Sequence, residues 1–130
     1  MCIFCKIINN EIPSYKVYED DNFLAFLDIS QATIGHTLVI PKNHYSNILD
    51  MDPKSDIFRI LTLVTKKLSK ALGITDFNII NNCGELAGQT VHHFHFHIVP
   101  RYNNDNFSIN FKSNTLTKEE FSELLLKINQ

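Results

Sequence analysis

The chain lacks the features that mark most secreted, membrane and disulfide-stabilised proteins. Three of its 130 residues are cysteine, and this odd number excludes a complete disulfide framework and fits a reducing compartment. No apolar run is long enough to cross a bilayer, and the first residues do not resemble a charged leader with a cleavage signal. We therefore expect a soluble, cytoplasmic protein.

The chain also lacks a basic run, and its formal net charge is -2. Proteins that bind DNA or RNA polymers neutralise phosphates with clustered lysine and arginine, so we expect no polymeric nucleic acid and no membrane as partner. Binding of single nucleotides stays possible. With 44% hydrophobic residues and no repeats, residues 1–130 are predicted to form one domain, with a core over about 1–102 and a helical tail over 103–130.

Hydrophobic periodicity predicts an α+β fold. The predicted strands are 16–19, 23–28, 36–41, 77–81 and 93–99, and the predicted helices are a short one at 3–8, a long one at 53–72 and a C-terminal one at 117–128. Pro53 and Gly73 flank the long helix, and Thr117 with Glu120 forms a capping-box pattern. We expect an antiparallel sheet of about five strands with helices on one face.

Three histidines on alternate positions are the most informative feature. In a strand, His93, His95 and His97 share one face, while Phe94 and Phe96 occupy the other. Imidazole can act as a nucleophile, a proton carrier or a metal ligand, and mutual repulsion is expected to keep several of these rings neutral. A half-buried strand can also carry histidine without a function, and a purely metal-binding role stays open.

Cys2 and Cys5 form a C-x-x-C pair near the N-terminus. Two thiolates and two imidazoles make up the four ligands of a closed tetrahedral zinc site, and we favour structural zinc as the cofactor. A redox pair would begin a helix after a βαβ strand, and no strand is predicted before Cys2. Two free thiols packed as small apolar side chains are the third interpretation.

In four blocks the chain resembles the histidine triad (HIT) family. The blocks are residues 2–8 with 11–13, residues 26–29, residues 35–44 and residues 88–97. Their order and spacing are similar to those of the bacterial Hint-like branch, which binds purine nucleotides. The resemblance implies the HIT-like fold and a homodimer, with the long helix and a central strand at its interface.

The resemblance also implies roles for individual residues. His95 matches the nucleophile that attacks the α-phosphorus, His93 and His97 match the other triad positions, and His36 matches a supporting histidine. Asp28 matches the ribose-binding aspartate, although by itself it is equally typical of a turn cap before Ser30. The matching phosphate contacts are Asn82, Gly88, Gln89 and Thr90, and the matching apolar base pocket is Ile3, Phe4, Ile7, Phe26 and Ile29. His44 and His93 match the residues that complete the zinc site of Cys2 and Cys5.

The activity implied by the resemblance is hydrolysis of a purine nucleotide through a covalent nucleotidyl-histidine, with release of a nucleoside monophosphate. The substrates would be phosphoramidates, aminoacyl-adenylates or diadenosine polyphosphates. A nucleotidyltransferase related to the galactose-phosphate uridylyltransferases is a second possibility, against which the short single domain argues. A non-catalytic nucleotide-sensing or partner-binding module is a third, and a zinc-stabilised structural protein is a fourth.

Overall fold

A computed structural model of the protein describes residues 2–130. Its helices and strands are α1 Ile3–Ile8, β1 Lys16–Glu19, β2 Phe23–Leu27, β3 Thr37–Pro41, α2 Ile57–Leu72, β4 Phe77–Ile80, β5 Phe96–Pro100 and α3 Lys118–Ile128. Single 3-10 turns lie at Ile48–Asp50 and Glu85–Ala87. The predicted α+β class, the five strands and the three helices are confirmed. Within residues 2–130, none of the helices has the length and apolar character that a membrane crossing requires.

The five strands form one antiparallel sheet in the order β1-β2-β3-β5-β4. Strand β5 therefore lies between β3 and β4, where Leu38 is opposite His97 and Ile80 is opposite the same histidine. This register places the end of the histidine segment on an inner strand of the sheet rather than at an edge.

Helices cover both faces of the sheet, so the expectation of helices on one face is wrong. On one face α2 packs with Ile60 and Val64 against Val39 and Phe96. On the other, Phe4 and Ile7 of α1 pack against Leu24, Phe26, Leu38 and Ile40. The reason lies in β2 and β3, whose consecutive residues are nearly all buried. A strand that is apolar on both faces needs cover on both.

Two predicted boundaries differ from the structure by more than one residue. Helix α2 begins at Ile57, with Asp56 as its N-cap, so Pro53 lies in the preceding loop. Strand β5 begins at Phe96 rather than at residue 93, because the backbone N–H of Phe94 donates to the carbonyl of Tyr45 at 2.6 Å instead of joining the sheet. The residues just before β5 are therefore fastened to the 43–47 loop.

The segment after β5 starts with an anchored turn and continues as an exposed tail. Arg101 donates to Asn78, to Asp105 and to the carbonyl of Phe107. Further on, the predicted capping box is confirmed, since the Thr117 hydroxyl and the Glu120 side chain each bind the other residue's backbone N–H. All residues of α3 are exposed.

Candidate active site

A cavity of about 330 Å³ opens on the face of the sheet that α1 covers. It brings together side chains from α1, from the end of β2, from the 82–90 loop and from β5. The lining residues are Ile3, Phe4, Asp28, Leu38, Asn82, Gly88, Thr90, Val91, His95 and His97. A second, mostly apolar cavity of about 210 Å³ adjoins it, shares Ile3, Phe4, Asp28 and Leu38, and adds Ile7, Phe26 and Ile29. Ile29 is exposed at the rim, whereas Phe4, Ile7 and Phe26 are buried.

His95 is a buried imidazole held in one tautomer. Its Nδ1–H donates to the carbonyl oxygen of His93 at 2.7 Å, and because a carbonyl can only accept, Nε2 carries the lone pair. Burial lowers the pKa of His95, and the backbone bond only partly offsets this effect. His95 is therefore neutral at physiological pH and has an unprotonated ring nitrogen, which a nucleophile requires.

His36 and His97 form a hydrogen-bonded pair with a fixed direction. The backbone N–H of Ala32 donates to His36 Nδ1 at 3.1 Å, so His36 carries its proton on Nε2 and donates it to His97 Nδ1 at 2.9 Å. The remaining ring nitrogen of His97 then bears a proton. Burial, followed by the neighbouring His95 and His36, lowers the pKa of His97 to about 4. Desolvation contributes more than the mutual repulsion expected from the sequence.

Asp28 caps a turn with one carboxylate oxygen and presents the other to the cavities. One carboxylate oxygen, Oδ1, accepts from the backbone N–H of Ser30 at 2.8 Å, and this is the turn cap. The other, Oδ2, is 3.7 Å from His36 Nε2. The carboxylate lines both cavities at their junction, so one oxygen is available to a ligand placed across them.

The 82–90 loop presents Asn82, Gly88 and Thr90 to the cavity but turns the Gln89 side chain inward. Gly88 has a φ of 91°, a left-handed conformation that favours glycine. Gln89 is only 4% exposed. Its amide oxygen accepts from the Gly84 N–H at 2.8 Å, and its amide nitrogen donates to the carbonyls of Ser46 and Val91. The polar atoms of this side chain are thus engaged with backbone rather than directed at the cavity.

Cys2, Cys5, His44 and His93 converge on one point beside α1. The four sulfur-to-nitrogen distances are 3.4–3.7 Å, and the His44 and His93 Nδ1 atoms are 3.2 Å apart. With Zn–S of about 2.3 Å and Zn–N of about 2.0–2.1 Å, a tetrahedral site requires S–N edges of about 3.5 Å and an N–N edge of about 3.3 Å. The four ligand atoms therefore have the spacing of a tetrahedral zinc site.

Contacts around this cluster orient its ligands. His93 is fully buried, and its Nε2–H donates to the carbonyl of Pro41 at 2.8 Å, so Nδ1 faces the cluster with its lone pair. The Cys5 backbone N–H donates to Cys2 Sγ at 3.2 Å at the start of α1. Burial, and then the adjacent Cys2 thiol, raise the pKa of Cys5 to about 11. The thiol would thus need a bound cation to ionise at neutral pH.

His93, predicted both as a catalytic residue and as a metal ligand, lies in the cysteine cluster and does not line the cavity. A second set of close donor atoms belongs to Asp28, His36 and His97. There the tautomer argues against a metal, because His36 Nε2 carries the proton that it donates to His97. His44 and His93 therefore lie in a cluster with the geometry of a metal site, whereas His36 and His97 form a hydrogen-bonded pair.

Sequence reasoning missed several residues that shape the site. Asn81 donates its side-chain N–H to the carbonyl of His95 at 2.9 Å, Leu38 and Val91 line the main cavity, and Gln31 binds the backbone of Asp28 and His36. Asn81 directly precedes a predicted site residue, which was a weak signal. The other three carry no local signal, because their contacts form only when separate segments meet.

Comparison with known proteins adds one family and several close relatives. A HIT domain family model matches residues 9–104. An "Uncharacterized HIT-like protein" of Borreliella burgdorferi is 51% identical over 137 residues, covering 98% of this chain and 96% of that protein. A Schizosaccharomyces pombe protein named adenosine 5′-monophosphoramidase is 41% identical over 124 residues, 95% of this chain and 92% of that protein. A crystal structure of a HIT family protein from Bacillus anthracis has a TM-score of 0.91 at 45% identity and covers 98% of this chain and 94% of that one.

Proposed function

This chain belongs to the histidine triad (HIT) family, and we propose that it is a purine nucleotide hydrolase that cleaves at the α-phosphorus through His95. The observation that carries the proposal is the tautomer of His95, whose Nδ1–H is bound to the His93 carbonyl while Nε2 keeps its lone pair. The imidazole is neutral, desolvated and part of the cavity lining. These are the properties of an activated nitrogen nucleophile.

The two adjoining cavities support a nucleotide as the ligand. In this proposal the base lies in the apolar cavity against Phe4, Ile7 and Phe26, and the ribose diol meets the free oxygen of Asp28 at the junction. The phosphate then lies in the larger cavity near Asn82, Gly88 and Thr90. Amide, hydroxyl and backbone N–H donors suit a group whose negative charge grows in the transition state.

The proposed reaction has two displacements. His95 Nε2 attacks the α-phosphorus, the bond from phosphorus to the leaving group breaks, and the leaving group keeps the electron pair and takes up a proton. Water then attacks phosphorus and gives up a proton to solvent, the phosphorus–nitrogen bond breaks with its electron pair returning to Nε2, and the nucleoside monophosphate leaves with His95 restored. Neutral His97, whose ring N–H is fixed by the Ala32–His36–His97 chain, is placed to donate a hydrogen bond to a phosphoryl oxygen, and the proton that the leaving group takes up comes from solvent.

Among the candidate substrates, we propose phosphoramidates first, because the S. pombe relative carries the name adenosine 5′-monophosphoramidase. Aminoacyl-adenylates and diadenosine polyphosphates share the same α-phosphorus chemistry. A non-catalytic nucleotide-binding module and a nucleotidyltransferase are the alternatives that the experiment below separates from a hydrolase. A homodimer and a cytoplasmic location stay predictions from the sequence.

We further propose that Cys2, Cys5, His44 and His93 hold a structural zinc ion, supported by ligand spacings close to a tetrahedron. The ion would join the start of α1 to the 43–47 loop and to His93, which lies two residues before the proposed nucleophile His95. Four protein ligands leave no open position for a substrate, which is typical of structural rather than catalytic zinc.

The experiment is release of nucleoside monophosphate from adenosine phosphoramidate and from diadenosine tetraphosphate, measured side by side by chromatography. We expect wild type to turn over at least one substrate and His95→Ala to turn over neither. His92→Ala is the matched control, because His92 is an exposed neighbour that does not line the cavity. A transferase would release monophosphate only slowly and would transfer it to an added acceptor. Nucleotide binding without turnover would favour the binding module and refute the hydrolase.

A further inference from the structure

Two glutamines outside the cavity lining make the same set of hydrogen bonds, one beside Asp28 and the other beside Gly88 and Thr90. Gln31 accepts from the Gly35 N–H at 2.7 Å and donates to the carbonyls of Asp28 at 2.5 Å and His36 at 2.7 Å. Gln89 accepts from the Gly84 N–H at 2.8 Å and donates to the carbonyls of Ser46 at 2.7 Å and Val91 at 3.0 Å. Each amide therefore uses its oxygen once and its nitrogen twice.

Gln31 closes the turn that separates the carboxylate from the supporting histidine. The backbone N–H of Asp28 also donates to the carbonyl of His36 at 3.0 Å, so two donors converge on that carbonyl. Because Gln31 binds both ends of the turn and Gly35 within it, its side chain sets the distance between the Asp28 carboxylate and the His36 ring. Asp28 is the ribose contact in the proposed function.

Gln89 fastens the phosphate-side loop to a different segment. Ser46 lies two residues after His44, whereas Gly84 and Val91 lie on either side of Gly88 and Thr90, two loop residues that line the cavity. Gln89 is buried, so water does not compete for these bonds. Its amide fixes the orientation of Gly88 and Thr90 without itself reaching the phosphate position.

We propose that Gln31 and Gln89 are positioning residues that separately set ribose recognition and phosphate recognition. The inference rests on the proposed function, since it assigns each side chain to one part of a nucleotide. It differs from the direct phosphate contact that the family resemblance implied for Gln89. It also predicts that damage to one glutamine leaves the other half of the site intact.

The test is binding of three ligands, AMP, adenosine and 2′-deoxyadenosine, by calorimetry. The preference for adenosine over 2′-deoxyadenosine reports on the ribose contact, and the preference for AMP over adenosine reports on the phosphate contacts. We expect Gln31→Met to reduce the first preference by about tenfold, the value of one well-made hydrogen bond, and to leave the second unchanged. Gln89→Met should do the reverse, so each variant is the control for the other.

Losses in both preferences from either variant, or in neither, would overturn the proposal. Gln31 is exposed, so Gln31→Met should fold and tests the proposal by itself if Gln89→Met does not fold. Hydrogen exchange at the Gly35 and Gly84 amides tests the glutamine hydrogen bonds independently of any ligand. Exchange should accelerate at Gly35 in Gln31→Met and at Gly84 in Gln89→Met. A wild type that shows neither the preference for AMP over adenosine nor that for adenosine over 2′-deoxyadenosine would refute the proposed function. Unchanged amide exchange in both variants would refute the positioning role of the two glutamines.

Discussion

Replacement of Phe4 by alanine should destabilise the protein by about 3 kcal/mol. Phe4 is 6% exposed, and its ring meets those of Phe26, His93 and His95 edge-on with centroids 5.6, 5.9 and 5.1 Å apart. Removing a buried phenylalanine costs about 3–5 kcal/mol in lost transfer energy and cavity formation. The lower value applies, because Phe4 and Ile7 are the buried residues of α1. The free-energy cost of the substitution cannot exceed the free energy that holds α1 on the sheet, because α1 would then detach and leave no cavity.

The assay is urea denaturation at a fixed concentration of free zinc, with thermal unfolding as a second measure. For 130 residues the entropy of unfolding is about 0.27 kcal/mol per kelvin, so a loss of about 3 kcal/mol lowers the melting temperature by about 11 °C. Phe58→Ala is the matched control, since that ring is 58% exposed and contacts Phe96 alone among aromatic rings of the described chain. A cost below about 1 kcal/mol for Phe4→Ala would refute the reasoning.

Three further predictions follow from individual side chains. Between pH 6.5 and 4 the unfolded His97 binds a proton that the folded His97, with its pKa lowered to about 4, does not. The contribution of His97 to wild-type stability should therefore fall by at most about 3 kcal/mol over this range and stay constant above it. His97→Asn should lose that part of the pH dependence in urea titrations, and an unchanged slope would contradict it. Cys5→Ser should lower bound zinc, measured by mass spectrometry on intact protein, from one ion per chain to well below one, while Cys83→Ser should leave it unchanged. The Ser14 hydroxyl is buried without a hydrogen-bond partner, so Ser14→Ala should stabilise the protein by about 1 kcal/mol in the same urea assay, and a destabilised variant would show that the hydroxyl is paired.

The sequence predicted the helices and strands well where one physical signal dominates. The capping box of Thr117 and Glu120 gave the start of α3, and the apolar stripe of α2 gave its buried face as far as Leu68. It failed where partners lie far apart along the chain. The start of β5 moved to Phe96 because Phe94 bonds to Tyr45, and nothing near residue 94 in the sequence indicates that partner.

The sequence predicted which residues lie near the candidate site better than it predicted the directions of their side chains. Alternation along a strand placed His95 and His97 beside each other, and their ring centroids are 5.0 Å apart. The same alternation could not assign His93, since its ring is directed by Pro41 and by the two cysteines from the other end of the chain. Gln89 was predicted at the phosphate from the family resemblance and from its closeness to His95 in the sequence. Its inward orientation depends on Ser46, which is 43 positions away.

Helix α1 links the cysteine–histidine cluster to the cavities of the candidate site. A helix of six residues is too short to be stable by itself in water, so its structure depends on what holds it to the sheet. At its N-terminus it is held by the cysteine–histidine cluster, and along its length by Phe4 and Ile7, which also form the wall of the apolar cavity. His93 belongs to that cluster, and its carbonyl fixes the tautomer of His95. The cysteine–histidine cluster therefore supports His95, the proposed nucleophile, and the proposed base pocket through the same few residues, although the cluster's own atoms lie outside the cavity where the chemistry is proposed to occur.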